Sequence, residues 1–92
     1  MDADISVACR REATGWVCDV RVAEGDSSTQ HEVSVTNDEM TRYSPESADV
    51  EALVERSFRF LLAREPKESI LRRFGLSDIE RYFPEFREWA QR

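Results

Sequence analysis

A chain of 92 residues, 40% apolar and 35% charged, is long enough for one hydrophobic core and too short for two, and its three glycines and three prolines argue against extended disorder. The net charge of −6 is spread unevenly, with nine acids against four arginines up to Pro45 and ten acids against nine lysines and arginines beyond it, which sets the chain against nucleic acid. No run approaches the roughly 18 apolar residues of a membrane span, and MDADISVACRR carries acids where a signal peptide needs a basic segment, so a cytoplasmic protein with no membrane partner is expected.

Residues 1–92 are read as one α+β domain, a sheet over about 4–36 followed by a helical part over about 37–91. Ile5, Val7 and Cys9 alternate with polar or small residues, and Trp16, Cys18, Val20 and Val22 do the same after the turn-like Glu12-Ala13-Thr14-Gly15. In a hairpin whose paired numbers sum to 27, Ile5 faces Val22, Val7 faces Val20 and Cys9 faces Cys18, so every apolar side chain lands on one face. A loop through Gly25, Asp26, Ser27 and Ser28 leads to His31, Val33 and Val35, the third strand of an antiparallel meander.

Thr36 with Glu39 three residues on has the form of a reciprocal capping box and predicts a short helix through about Tyr43. Ser44 and Pro45 then open a long helix that runs to Arg64 or Glu65 and stops before Pro66. Its apolar residues, among them Leu53, Val54, Phe58, Phe60 and Leu61, cover an arc of roughly 200°, more than packing on one layer requires. The helix therefore needs two partners, the sheet and a C-terminal pair of short helices over Lys67–Phe74 and Asp78–Phe83, which offer Ile70, Leu71, Phe74, Leu76, Ile79, Tyr82 and Phe83 to pack against it. Gly75 is expected to supply a left-handed turn between these, Ser77 and Glu80 a second capping box, and Pro84 a last turn bearing Phe86 and Trp89.

The block SFRFLLAREPKESILRRF followed by IERYFPEF resembles the C-terminal signature of a family of small uncharacterised bacterial proteins, in which a short β segment precedes a helix and a closing YFPEF-like tail. The likeness covers roughly the last third of the chain, while the region before Tyr43 agrees only in general pattern. It implies a fold and no activity.

No constellation in the chain reads as catalytic, cofactor-binding or metal-binding. Cys9 and Cys18 stand opposed closely enough for a disulfide, but a protein without an export signal meets a reducing cytosol, and core thiols are expected. Two cysteines and the lone His31 fall short of a zinc site, and His31 continues a core-facing row as a packed histidine. Ser57 and Ser69 lack a nearby histidine, and glycines dispersed at 15, 25 and 75 form no phosphate loop. Residues 68–83 have a superficial helix-turn-helix outline. Leu71 four before the glycine, Asp78 and Glu80 at the start of the reading helix, and Pro84 cutting it short all oppose it.

Arg72, Arg73, Arg81 and Arg87 with Tyr82 and Trp89 remain as a contact patch, since arginines and aromatics dominate binding hot spots; an ordinary exposed face with glutamate partners such as Glu68 is the plainer reading. The expected function is a non-catalytic protein-interaction or regulatory domain with an unknown protein partner, or a homodimer through an exposed strand edge. Nucleic-acid binding through Arg72, Arg73 and Arg81 is the alternative.

Overall fold

The computed structural model describes residues 3–45 and 49–91. Strands β1 (Asp4–Glu12), β2 (Gly15–Glu24) and β3 (Ser27–Thr36) form the antiparallel meander, and β1 pairs with β2 in the register the alternation predicts, Ile5 with Val22, Val7 with Val20 and Cys9 with Cys18. Two glycines make the meander's turns and contacts feasible. Gly25 has φ +58° while Asp26 does not enter that region, the pattern of a two-residue hairpin turn with glycine at its first central position. At Gly15, a Cβ would lie 2.0 Å from the Val35 carbonyl oxygen, so only a bare Cα lets β3 approach there.

The sheet has a fourth strand that alternation did not reveal. β4 (Arg73–Gly75) pairs in parallel with β3, giving the order β1-β2-β3-β4 and a mixed sheet in place of the three-stranded antiparallel one expected. The helix predicted over Lys67–Phe74 is reduced to a 3₁₀ turn, Lys67–Ser69, after which the chain extends. The reason lies in β3, whose outer edge needs backbone partners. Glu32 N–H donates to the Arg72 carbonyl at 2.7 Å, and Leu76 N–H donates to the Ser34 carbonyl at 2.9 Å. These bonds are available only to an extended chain, and they outweigh the weak helical preference of ILRRF.

Helix α1 (Asn37–Tyr43) begins with the predicted capping box: Thr36 Oγ1 accepts from Glu39 N–H at 3.0 Å and Glu39 Oε1 accepts from Thr36 N–H at 2.9 Å. Helix α2 (Val50–Leu62) starts later than expected, with the Asp49 side chain accepting from Ala52 N–H, and ends before Arg64. Ser44, expected to open this helix, instead ends α1, its N–H donating to the Met40 carbonyl, and Pro45 is not helical; only residues 46–48 of the predicted first turn lie outside the described residues. Val50, Leu53, Val54, Phe58, Phe60 and Leu61 are buried, so α2 is covered on two sides, by the sheet, chiefly β1, and by α4 (Phe86–Ala90), which takes the place expected for the pair of helices over Lys67–Phe74 and Asp78–Phe83. The hydroxyl of Ser57, fully buried in this layer, donates to the Leu53 carbonyl at 2.7 Å and so leaves no unmet polar group in the core.

Helix α3 (Asp78–Tyr82) forms where expected but is held differently. Gly75 is not left-handed, Ser77 makes no side-chain cap, and Glu80 points elsewhere, accepting from the Tyr43 hydroxyl at 2.7 Å. The backbone donors of this region are met by one local and one distant carboxylate instead: Asp78 Oδ2 accepts from Gly75 N–H and Glu39 Oε2 from Ser77 N–H, each at 3.0 Å. On the opposite edge of the sheet, Glu51 Oε2 accepts from Cys9 N–H at 3.0 Å. In the observed register Cys9 belongs to a pair whose backbone groups face away from β2, so Glu51 blunts an otherwise free edge.

The cysteines correct a second expectation. Cys9 and Cys18 are joined as a disulfide with their Cα atoms 4.0 Å apart, where reduced core thiols were expected. The register itself brings the two sulfurs together, because a non-hydrogen-bonded cross-strand pair has the shorter Cα separation. Since the closed loop is short, with a sequence separation of 9, the bridge should contribute at the low end of the usual range, about 2 kcal/mol. Thermal melts with and without a reductant, alongside a Cys9→Ser/Cys18→Ser variant, measure this; equal melting temperatures would show that the hairpin holds without the bond.

Tyr43 makes a pH-dependent contribution. Its ring is fully buried against Phe86, and burial, reinforced by the hydrogen bond to Glu80, pushes its hydroxyl up to about 12 from an ordinary 10. The fold disfavours tyrosinate, so this stability is complete below about pH 10 and is lost between about 10 and 12, with a slope of at most about 1.4 kcal/mol per pH unit. Lys67, buried and bonded to Glu68 at 2.7 Å and Glu24 at 3.5 Å, is also raised and adds loss in the same direction. Urea unfolding of wild type and Tyr43→Phe at about pH 9 and pH 11 separates the two: the alkaline loss attributable to Tyr43 should be missing from the variant.

Candidate interaction surface

Among the described residues, two large apolar side chains stand substantially in solvent, Leu71 at 51% exposed and Tyr82 at 70%. Both border the same groove, about 350 Å³ in volume. Its apolar floor is built from three places in the chain: Leu61 at the end of α2, Ile70 and Phe74 in and before β4, and Ile79 and Phe83 in and after α3. Each of these is buried or half-buried, so the floor is the outer surface of the core.

Leu71 reaches the rim because the chain around it is extended. In a helix Ile70 and Leu71 share much of one face, whereas in extended backbone successive side chains point to opposite sides, so Ile70 goes in and Leu71 goes out. The Leu71 carbonyl accepts from His31 Nδ1 at 2.8 Å, which fixes this segment against β3. His31 is the packed histidine expected from its row. A carbonyl can only accept, so Nδ1 carries a proton, while Nε2 shares a hydrogen bond of 2.8 Å with the Thr29 hydroxyl and the ring lies 5.2 Å from Phe58.

The polar lining of the groove comprises Glu65, Ser69 and Asp78, with no cationic side chain. Asp78 is committed, through Oδ2 to Gly75 N–H and through Oδ1 to Arg81 Nη1 at 3.4 Å. Glu65 is half-buried, and its carboxylate has no hydrogen-bond or ion-pair partner among the described residues.

The six patch residues named from the sequence do not gather on one surface. Tyr82 alone lines the groove, with Arg81 beside it on α3, paired to Asp78 and its side chain 81% exposed. Arg72 and Arg73 border a separate, wider trough of about 710 Å³ along the sheet, where they meet Arg21 but also Asp19 and Glu32, the last paired to Arg73 at 3.3 Å. Arg87 is exposed on α4. Trp89 belongs to the aromatic core, 5.0 Å from Phe60 and beneath the Arg56 guanidinium at 5.3 Å. The sequence reading missed Leu71 and Glu65, the first because it was assigned to a helix face packed on the core, the second because it was read only as the end of a helix.

Among the described residues no group of three or more His, Cys, Asp and Glu side chains is arranged to hold a metal ion, and no helix is long and apolar enough to cross a membrane. Compared with known proteins, the chain matches no family model, no curated protein and no solved structure.

Proposed function

We propose that this protein is a small non-catalytic interaction domain that docks a partner protein in the groove between α2, β4 and α3. The observation that carries the reading is the pairing of Leu71 with Tyr82: the large apolar side chains left in water stand together on the rim of one apolar groove. Isolated exposed apolar residues are ordinary on a soluble surface, but two flanking a concave apolar floor form the core of a contact region, and tyrosine is among the residues that dominate such regions.

Self-association through the free edge of β1 is a weaker reading, because Glu51 already occupies the outward N–H of Cys9 that a second strand would need. Nucleic-acid binding is supported only by the meeting of Arg21, Arg72 and Arg73, which share their trough with two acids and with a single aromatic ring, that of His31, too buried for a base to stack on. A salt-dependent spectral shift on adding single-stranded or duplex nucleic acid tests it directly.

Affinity capture from the native cell extract, with bound proteins identified for wild type, Leu71→Ser/Tyr82→Ser and Arg72→Glu/Arg81→Glu, decides among these. Docking in the groove requires that one identified partner be lost with the first variant and kept with the second. Because Leu71 and Tyr82 are exposed, the first variant should melt within a few degrees of wild type, about 0.5 kcal/mol or less in stability. An unchanged set of partners from a folded Leu71→Ser/Tyr82→Ser protein sinks the reading.

A further inference from the structure

We infer that the occupant of the groove is a basic amphipathic segment of the partner, an apolar side chain filling the floor and a lysine or arginine beside Glu65; this rests on the docking reading above. The inference turns on what docking does to Glu65. A carboxylate without a protein partner is tolerable while water reaches it, but a docked apolar segment displaces that water. An acidic or neutral ligand therefore leaves a desolvated, uncompensated charge at the wall of the groove. A ligand cation removes the penalty and adds a charge-assisted hydrogen bond.

The other polar groups at the groove point the same way. The Ser69 hydroxyl adds an oxygen acceptor, and the cation that is nearby, Arg81, is already bound to Asp78. On the scale of the whole molecule, a net charge of −6 steers cationic segments toward the protein and opposes anionic lipid, nucleic acid and a second copy of the same acidic chain. A floor flanked by two helices suits an amphipathic helix laid along it, whose apolar positions recur at i, i+3, i+4 and i+7.

The test is an amide chemical-shift titration of the full chain with three helical peptides of about 14 residues, leucines on one face and the other positions filled with lysine, glutamate or glutamine, at about 0.15 M salt. The lysine peptide should shift the amides of Glu65, Leu71, Ile79 and Tyr82 and bind at least roughly tenfold more tightly than the glutamate peptide. Glu65→Lys should abolish that preference, and Leu71→Ser should weaken the lysine peptide by a similar factor; both positions are solvent-accessible, so circular dichroism should confirm an intact fold.

Equal binding of the lysine and glutamate peptides at those amides would overturn the charge assignment and leave groove docking standing. Shifts spread over the acidic surface and erased by salt would overturn it as well. If none of the three peptides perturbs the groove, the docking reading falls with it. Concentration-dependent shifts of the same amides without peptide, together with a dimer mass by light scattering, would assign the groove to a second copy and overturn the proposal.

Discussion

Phe60→Ala should cost about 3 to 5 kcal/mol, a large share of the roughly 5 to 15 kcal/mol that holds a domain of this size folded. The expectation rests on how many elements converge on one ring. Phe60 is 2% exposed, and its ring lies 5.1 Å from Phe86, 5.0 Å from Trp89 and 5.9 Å from Phe83, with the Arg64 guanidinium 3.5 Å above its centroid. These neighbours come from just past the end of α2 or from the segment after α3, so the ring joins the C-terminal tail to the long helix. Removing it leaves a cavity bounded by three other aromatic groups, which cannot collapse without moving α4. Urea unfolding followed by tryptophan fluorescence measures the loss, with an unchanged slope expected. Phe60→Leu, which keeps most of the volume, should cost less than about 2 kcal/mol. A loss below about 1 kcal/mol in the alanine variant would mean that other contacts hold the tail.

What the sequence revealed and what it hid divide along a physical line. The β1–β2 register was legible because a strand has a period of two and a slip by one residue would put Val7 on the face opposite Val20 and Val22, so a single pairing satisfies all the apolar residues at once. Thr36 and Glu39 were legible because a capping box is local, three residues apart and complete within itself. The β4 segment was not, because its helix-like spacing of Ile70 and Phe74 is overruled by hydrogen bonds to β3, some 40 residues earlier in the chain. Neither alternation nor helical periodicity reports on a backbone partner so far away. The groove depends on that same extended segment, so its key rim residue, Leu71, was assigned to the core. The cysteines are a different case: their juxtaposition followed from the register, and the expectation of free thiols followed from cellular location, which the residues themselves do not encode.

Glu39→Ala should destabilise the protein by about 2 to 4 kcal/mol, more than loss of a helix cap accounts for. The capping box is the local half of what this side chain does. Its Oε1 accepts from Thr36 N–H at 2.9 Å, while Oε2 accepts from Ser77 N–H at 3.0 Å across 38 positions of sequence. One carboxylate, 8% exposed, thus meets two backbone donors from well-separated parts of the chain, one before α1 and one before α3. Loss of the box alone corresponds to about 1 kcal/mol, and the remainder is the cost of leaving Ser77 N–H without its charged acceptor. The two parts separate in a cycle with Ser77→Pro, which deletes that donor at a residue whose φ of −68° already suits proline. A coupling of at least about 1 kcal/mol between the two substitutions is expected, and additivity would show that the Ser77 bond contributes nothing. Because Ser77 precedes α3, the Glu39→Ala variant should also exchange the amides of Gly75 and Ile79 faster, loosening one wall of the groove while the β1–β2 hairpin keeps its protection. That pattern would tie the integrity of the proposed docking surface to a residue that does not line it.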